Sequence, residues 1–398
     1  MKNILIKIDR VFRDFILFMI DLTKFLPITI TNTAAKQHKP TIFNKVLLLI
    51  KLDEIGDYIL FRNLLPYIKS SDKFKNYKII LCGNIAWKNI AENFDSEFVD
   101  DFVWMNKQKY LNNLLYRFRF LKKVSSIKPK ILINCSYSRS FFIDDSIAAV
   151  TPANTKISFK TDLSNSYKWQ IKISDKYYKI LFDSNTEIFD FYKNRSFFEY
   201  ILNIKIELLK PQITLNNKNK TDESYGNFVI IFLGGKRKYK KWKLTYFIEI
   251  ANYIISKYNL NILLVGKKEE IKDNNSLFNH LVNKEKVFDL SEKTTLAELA
   301  YLLRKAKLLI SNDSGIIHLA ASVNTKTIVI LNGSQYGRFI PYPIESGTAI
   351  SAIYPAEIMN NRYEIKKLYK QYRYRSLLDI NSIRTVTVKS EIDRLIPE

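Results

Sequence analysis

Residues 306–333 read AKLLISNDSGIIHLAASVNTKTIVILNG, and this stretch sets the fold class. Residues 308–311 and 327–331 are short apolar runs of strand length, and residues 316–323 between them have the pattern of a helix. A strand, a short helix and a second strand, closed by Gly333, make a βαβ unit with parallel strands. The polar turn Asn312, Asp313, Ser314, Gly315 falls where the first strand meets the helix. Ligands of open α/β sheets bind at such strand ends.

The same alternation extends in both directions. Upstream, residues 228–232 form an apolar run followed by a Gly-Gly turn. A helix then carries Leu244, Phe247, Ile248, Ala251, Ile254 and Ile255 on one face, and further strands are expected at 262–265 and 287–290. Thr295 with Glu298 three residues on predicts a capping box. In the first half, strands are predicted at 46–50, 78–82 and 130–134, with a basic amphipathic helix over 111–124. After Gly56 and Asp57, the apolar positions Leu60, Phe61, Leu64, Leu65 and Ile68 recur at helical spacing. Periodicity fails around 209–224, the expected linker. The chain thus reads as an α/β protein with an N-terminal amphipathic segment (1–40), a first Rossmann-like domain (41–212), a second (225–350) and a tail (351–398) expected to return to the first domain.

Composition supports a folded pair of domains. With 398 residues the chain exceeds one ordinary core, and 47% hydrophobic residues supply enough apolar surface for two. Cys82 and Cys135 each close an apolar run, which suits buried thiols in a reducing cytoplasm better than a disulfide framework. His38, His280 and His318 have no metal-ligand spacing, so no metal is expected. The formal charge of +24 attracts polyanions without naming one. It is densest at Lys236, Arg237, Lys238, Lys240, Lys241 and Lys243, and again in the tail at Arg362, Lys366, Lys367, Lys370, Arg373 and Arg375. Charges interrupt the apolar residues of 4–26, which excludes a comfortable bilayer span. Two readings of that segment remain: a helix lying on a membrane surface, or one packing on the protein body.

Three loops at strand ends are the candidate site. At 312–318, the amides near Ser314 and Gly315 open a helix whose positive end suits a phosphate; Asp313 is alternatively a helix cap and His318 a packed core residue. At 234–243, a cluster of cations follows a strand, Lys240 being the candidate ligand of a leaving diphosphate, Trp242 a packing anchor and the other lysines a solvated turn. At 53–57, Asp57 is either a general base or a cap of its own helix.

Together these segments resemble glycosyltransferase family 9, the family of the bacterial lipopolysaccharide heptosyltransferases. KLDEIGDYILFRNLL at 51–65 is similar to its N-terminal signature, and the resemblance puts the catalytic aspartate at Asp57, with Gly56 supporting the loop. The stretch 306–333 matches the family's strand, turn and His-Leu-Ala helix, which implicates Asp313, Ser314, Gly315 and His318 in donor binding and Gly333 in loop support. Lys240–Trp242 resembles a Lys-x-Trp-Pro element, although Lys243 stands where the proline would be. Arg338 falls in GRFIPYP, similar to the run after the donor loop, and the family's ribose-binding glutamate corresponds to Glu269 or Glu270.

The resemblance implies the GT-B architecture, two Rossmann-like domains facing across a cleft, and an inverting transfer needing no cofactor or metal. The implied partners are a nucleoside-diphosphate sugar and a lipid-linked or phosphorylated saccharide, with an anionic membrane surface a further candidate. Specific nucleic-acid binding is not expected. A cytoplasmic enzyme, peripheral on the inner face of the cytoplasmic membrane, fits that set. The competing readings are a sugar-nucleotide epimerase of the same architecture and a non-enzymatic basic binding protein.

Overall fold

The computed structural model describes residues 19, 23–38, 40–184, 187–216, 225–235 and 237–396. The expectations for residues 1–18, for the linker at 217–224 and for Lys236 lie outside the described residues. By packing, the chain forms two compact units, Met1–Leu52 with Asn76–Ile85 and Val99–Asp183, and Asp53–Lys75 with Ala86–Phe98 and Ser184–Glu398.

The first unit is a parallel sheet of β1 (Asn44–Lys51), β2 (Lys78–Asn84), β3 (Asp101–Met105), β4 (Pro129–Asn134), β5 (Thr155–Phe159) and β6 (Ile180–Phe182), ordered β3-β2-β1-β4-β5-β6. The second holds β7 (Phe228–Phe232), β8 (Asn261–Val265), β9 (Val287–Asp289), β10 (Leu308–Asn312), β11 (Thr327–Ile330) and β12 (Ile350–Ile353), ordered β12-β11-β10-β7-β8-β9. Each sheet follows the doubly wound order, and each reverses direction beside its first strand, between β1 and β4 and between β7 and β10. The central strands are covered on both faces, which is why VLLLI in β1 and FVIIF in β7 are unbroken apolar runs.

The α/β expectation and the eight predicted strands hold. The four strands not anticipated, β3, β5, β6 and β12, are short, at three to five residues, and only partly covered, so they lack the long, fully buried aliphatic run that marks a central strand. The helix expected over 111–124 is two helices, Lys107–Asn112 and Leu114–Ser125, because Asn113 turns out of the helix and its side chain accepts from the Tyr116 amide. Thr295 and Glu298 make the predicted capping box.

The described part of the N-terminal segment, a helix over residues 23–35, packs on the first unit. Phe25 lies against Phe141 and Trp169, Ala35 is in the core, and Arg117 donates to Asn32 Oδ1 at 3.0 Å. No described helix is long and apolar enough to cross a membrane. The tail corrects its expectation. Ile380, Ile383, Val388 and Ile392 enter the core of the second sheet, because Val388 and Ile392, four residues apart, form one apolar stripe on the helix Thr385–Leu395.

Candidate functional site

The site in the second unit begins at the reversal between β7 and β10. Asn312, buried at the end of β10, donates its amide to the Leu233 carbonyl at 2.9 Å and accepts from the Trp242 amide at 3.0 Å. One side chain thereby ties together the loops after both central strands. Trp242 is the expected packing anchor, buried with its indole N–H donating to the Ile383 carbonyl at 2.9 Å. The sequence marks Asn312 only as part of a turn; a buried amide with both ends engaged is visible only once the strands are paired.

Lys240, on the short turn Lys238–Lys240, reaches across to this turn. Its ammonium lies 2.5 Å from Asp313 Oδ2 and 3.3 Å from Gln335 Oε1. Asp313 is therefore not the helix cap. Gly315 occupies the cap position of the helix Ile316–Ser322 without a side-chain cap bond, and the Asp313 carboxylate serves Lys240 instead. The helix's first backbone bonds run from Ile317 and His318 to Ser314 and Gly315, so the amides just before them face the turn, beside half-buried Ser314.

The segment carrying Asp57 belongs to the same unit. A Cβ on Gly56 would sit 2.7 Å from His318 Cδ2, and one on Gly315 would sit 3.0 Å from the Gly56 nitrogen. These glycines let the starts of the helices Ile55–Arg62 and Ile316–Ser322 touch through backbone. Asp57 is half-buried in the first turn of the former; the cap there is Glu54, with no side-chain cap bond, so Asp57 is not that helix's cap. His318 Nδ1 is 2.8 Å from the Tyr342 hydroxyl. Burial pulls its pKa down to about 4 against the opposing pull of Asp313 and Asp190, leaving a neutral imidazole at physiological pH.

Of the two glutamates, Glu269 is exposed and Glu270 is brought to the loops. Glu270 accepts from the Lys267 amide at 2.9 Å, and its Oε1 lies 2.9 Å from where a Gly234 Cβ would be. Gly333 adopts φ +91°, and a Cβ there would fall 2.2 Å from Ile358 Cδ1. Arg338 is buried and donates to Asp190 Oδ2 at 2.6 Å, while Lys193 donates to Asp190 Oδ1 at 2.8 Å. Burial raises the Asp190 pKa, but the two cations outweigh it and hold the carboxyl at about 2. Asp190 carried no sequence signal, since Lys193 is a neighbour on its own helix and Arg338 lies 148 residues away. Among the described residues, no three His, Cys, Asp or Glu side chains are grouped to hold a metal ion.

Two doubly wound parallel sheets, with loops gathered at the reversal of the second, are the GT-B architecture. The family model of glycosyltransferase family 9 (heptosyltransferase) matches residues 146–380, more than half of the chain, and the chain belongs to that family. It is thus a glycosyltransferase, which sets aside the epimerase and non-enzymatic readings. The matched span holds Lys240, Asp313 and Arg338 but not Asp57, whose place rests on the contacts above. The chain is 23% identical over 301 residues to lipooligosaccharide heptosyltransferase 2 of Campylobacter jejuni, covering 74% of this chain and 83% of that one. A family 9 glycosyl transferase from Veillonella parvula superposes with TM-score 0.67 at 15% identity, over 90% of this chain and 99% of that one. The Escherichia coli heptosyltransferase WaaC with ADP gives 0.64 at 13%, over 88% and 99%.

Proposed function

We propose that the protein moves a sugar, heptose being the leading candidate, from a nucleoside-diphosphate sugar to a lipid-linked saccharide such as a lipopolysaccharide core, with inversion and without a metal ion. The names of its relatives support this. The Campylobacter jejuni protein is a lipooligosaccharide heptosyltransferase, and WaaC has been solved with ADP-2-deoxy-2-fluoro heptose.

The observation that carries the reading is the backbone contact of Gly56 with Gly315, which sets the first turn holding Asp57 beside the turn holding Ser314. In this mechanism the Asp57 carboxylate takes the proton of an acceptor hydroxyl as that oxygen bonds to the anomeric carbon. The bond from that carbon to the diphosphate oxygen breaks on the opposite face, and the nucleoside diphosphate leaves. Lys240, Ser314 and the amides near Gly315 stabilise its charge, and Glu270 lies where it can meet the rest of the nucleotide. The neutral His318 packs the two helix starts without adding a competing charge.

Single-turnover transfer from ADP-heptose tests this. Asp57→Asn is expected to slow transfer by about 10² to 10⁴-fold while donor-induced thermal stabilisation persists, and excess EDTA should leave the wild-type rate unchanged. Transfer by Asp57→Asn at the wild-type rate would remove the base from the mechanism.

A further inference from the structure

The tail segment 362–377 carries six cations and one acid, Glu364, which pairs with Lys367 at 2.7 Å. Its helix Ile365–Tyr372 buries Leu368 and Tyr372, four residues apart, against the second unit. Lys366, Lys370 and Arg373, at i, i+4 and i+7, lie on the opposite side and are exposed. Large apolar side chains sit among these charges in solvent: Tyr363 is 84% exposed, Leu377 54% and Ile365 48%. The Arg375 guanidinium stands 5.1 Å from the ring of Tyr239, next to exposed Arg237 and Lys238. Two basic clusters far apart in sequence are therefore one surface.

We propose that this surface docks on an anionic lipid bilayer, a role independent of which sugar is transferred. Cations interleaved with exposed tyrosine and aliphatic side chains match a headgroup layer, where charge meets phosphate and the apolar side chains enter the acyl boundary. A nucleic-acid backbone would use the cations but leave Ile365 and Leu377 without a partner. The inner side of the same segment holds the loop after β11. The Gln335 amide donates to the Tyr372 carbonyl at 2.9 Å, the Ser376 amide donates to Ser334 Oγ at 2.9 Å, and Gln335 in turn touches Lys240. Docking thus brings the bilayer to the back of the loop that holds Lys240.

The test is co-sedimentation of the full chain with phosphatidylglycerol–phosphatidylcholine vesicles and with pure phosphatidylcholine vesicles. Wild type is expected to sediment with the anionic vesicles alone. A Lys366→Glu, Lys370→Glu, Arg373→Glu triple variant should lose at least about tenfold in partitioning with an unchanged melting temperature; should it fold poorly, the corresponding triple glutamine variant gives the same readout. Tyr363→Ser with Leu377→Ser should weaken the part of the binding that survives high salt. The proposal is overturned if a folded charge variant sediments as wild type does, if neutral vesicles bind equally, or if single-stranded RNA displaces the protein from the vesicles.

Discussion

Lys240 and Asp313 stand 2.5 Å apart at the turn where a diphosphate is proposed to lie, and a carboxylate there would repel the ligand if it were not already neutralised. The pair is read as a positioned ammonium: Asp313 fixes where Nζ sits, and Lys240 meets the leaving charge. Lys240→Met is then expected to lower kcat by about 10² to 10³-fold, the usual loss when one stabiliser of developing charge is removed. Asp313→Asn should cost less, because the amide oxygen still holds the lysine in place. Steady-state kinetics with varied donor decide; a larger loss for Asp313→Asn would mean that Asp313 contacts the substrate itself. Lys240, Asp313 and Asp57 were singled out as candidates by the loops they occupy beyond apolar strands and by the family resemblance. Asn312, Asp190 and Tyr342 were not, since each owes its part to a partner that only folding supplies. Glu269 and Glu270, adjacent in sequence, were separable only by burial.

At the scale of elements, the central strands announced themselves by unbroken aliphatic runs, and the helix after Thr295 by its reciprocal cap. Edge strands escaped because a short, partly covered segment such as β3 lacks the long buried aliphatic run of a central strand. The tail was misplaced for a related reason: the stripe of Val388 and Ile392 shows that the last helix must bury one face, but not which sheet receives it. The loop after β11 depends on Gly333, whose φ of +91° disfavours any side chain and whose Cβ would strike Ile358. Gly333→Ala is expected to destabilise the protein by about 1 to 3 kcal/mol through backbone strain and overpacking. Ile358→Ala empties buried space and is itself destabilising, but it removes the clashing methyl, so the double variant should lose less than the sum of the two single losses. Urea unfolding of the two single variants and the double variant checks it: strictly additive losses would show that the two sites do not touch.

Across the whole molecule, the same strand order is built twice from sequences with no recognisable repeat, so the fold reuses a topology and leaves the chemistry to buried exceptions. Two such exceptions in the second unit give it a defined response to acid. An unfolded histidine titrates near its ordinary value of about 6.5, whereas His318 in the fold titrates at about 4. Between those values the unfolded chain binds a proton that the folded chain does not, so acid favours unfolding. The stability this group contributes is complete above about pH 6.5 and disappears as pH falls to about 4, by at most about 3 kcal/mol. Asp190 acts with the same sign lower down: its folded pKa of about 2 lies below the unfolded value, so its contribution is present above about pH 4 and is lost through pH 2. His318→Gln, which keeps a partner for the Tyr342 hydroxyl, should therefore flatten the decline between about pH 6.5 and 4 while leaving the steeper loss below pH 4 intact. Urea midpoints measured at intervals from pH 7 to pH 3 on both proteins test this, with the ring nitrogen shifts of His318 as a direct reading of its charge. An imidazole protonated at pH 6, or a variant curve parallel to wild type through the upper window, would show that His318 is not held neutral by the packing of the two helix starts.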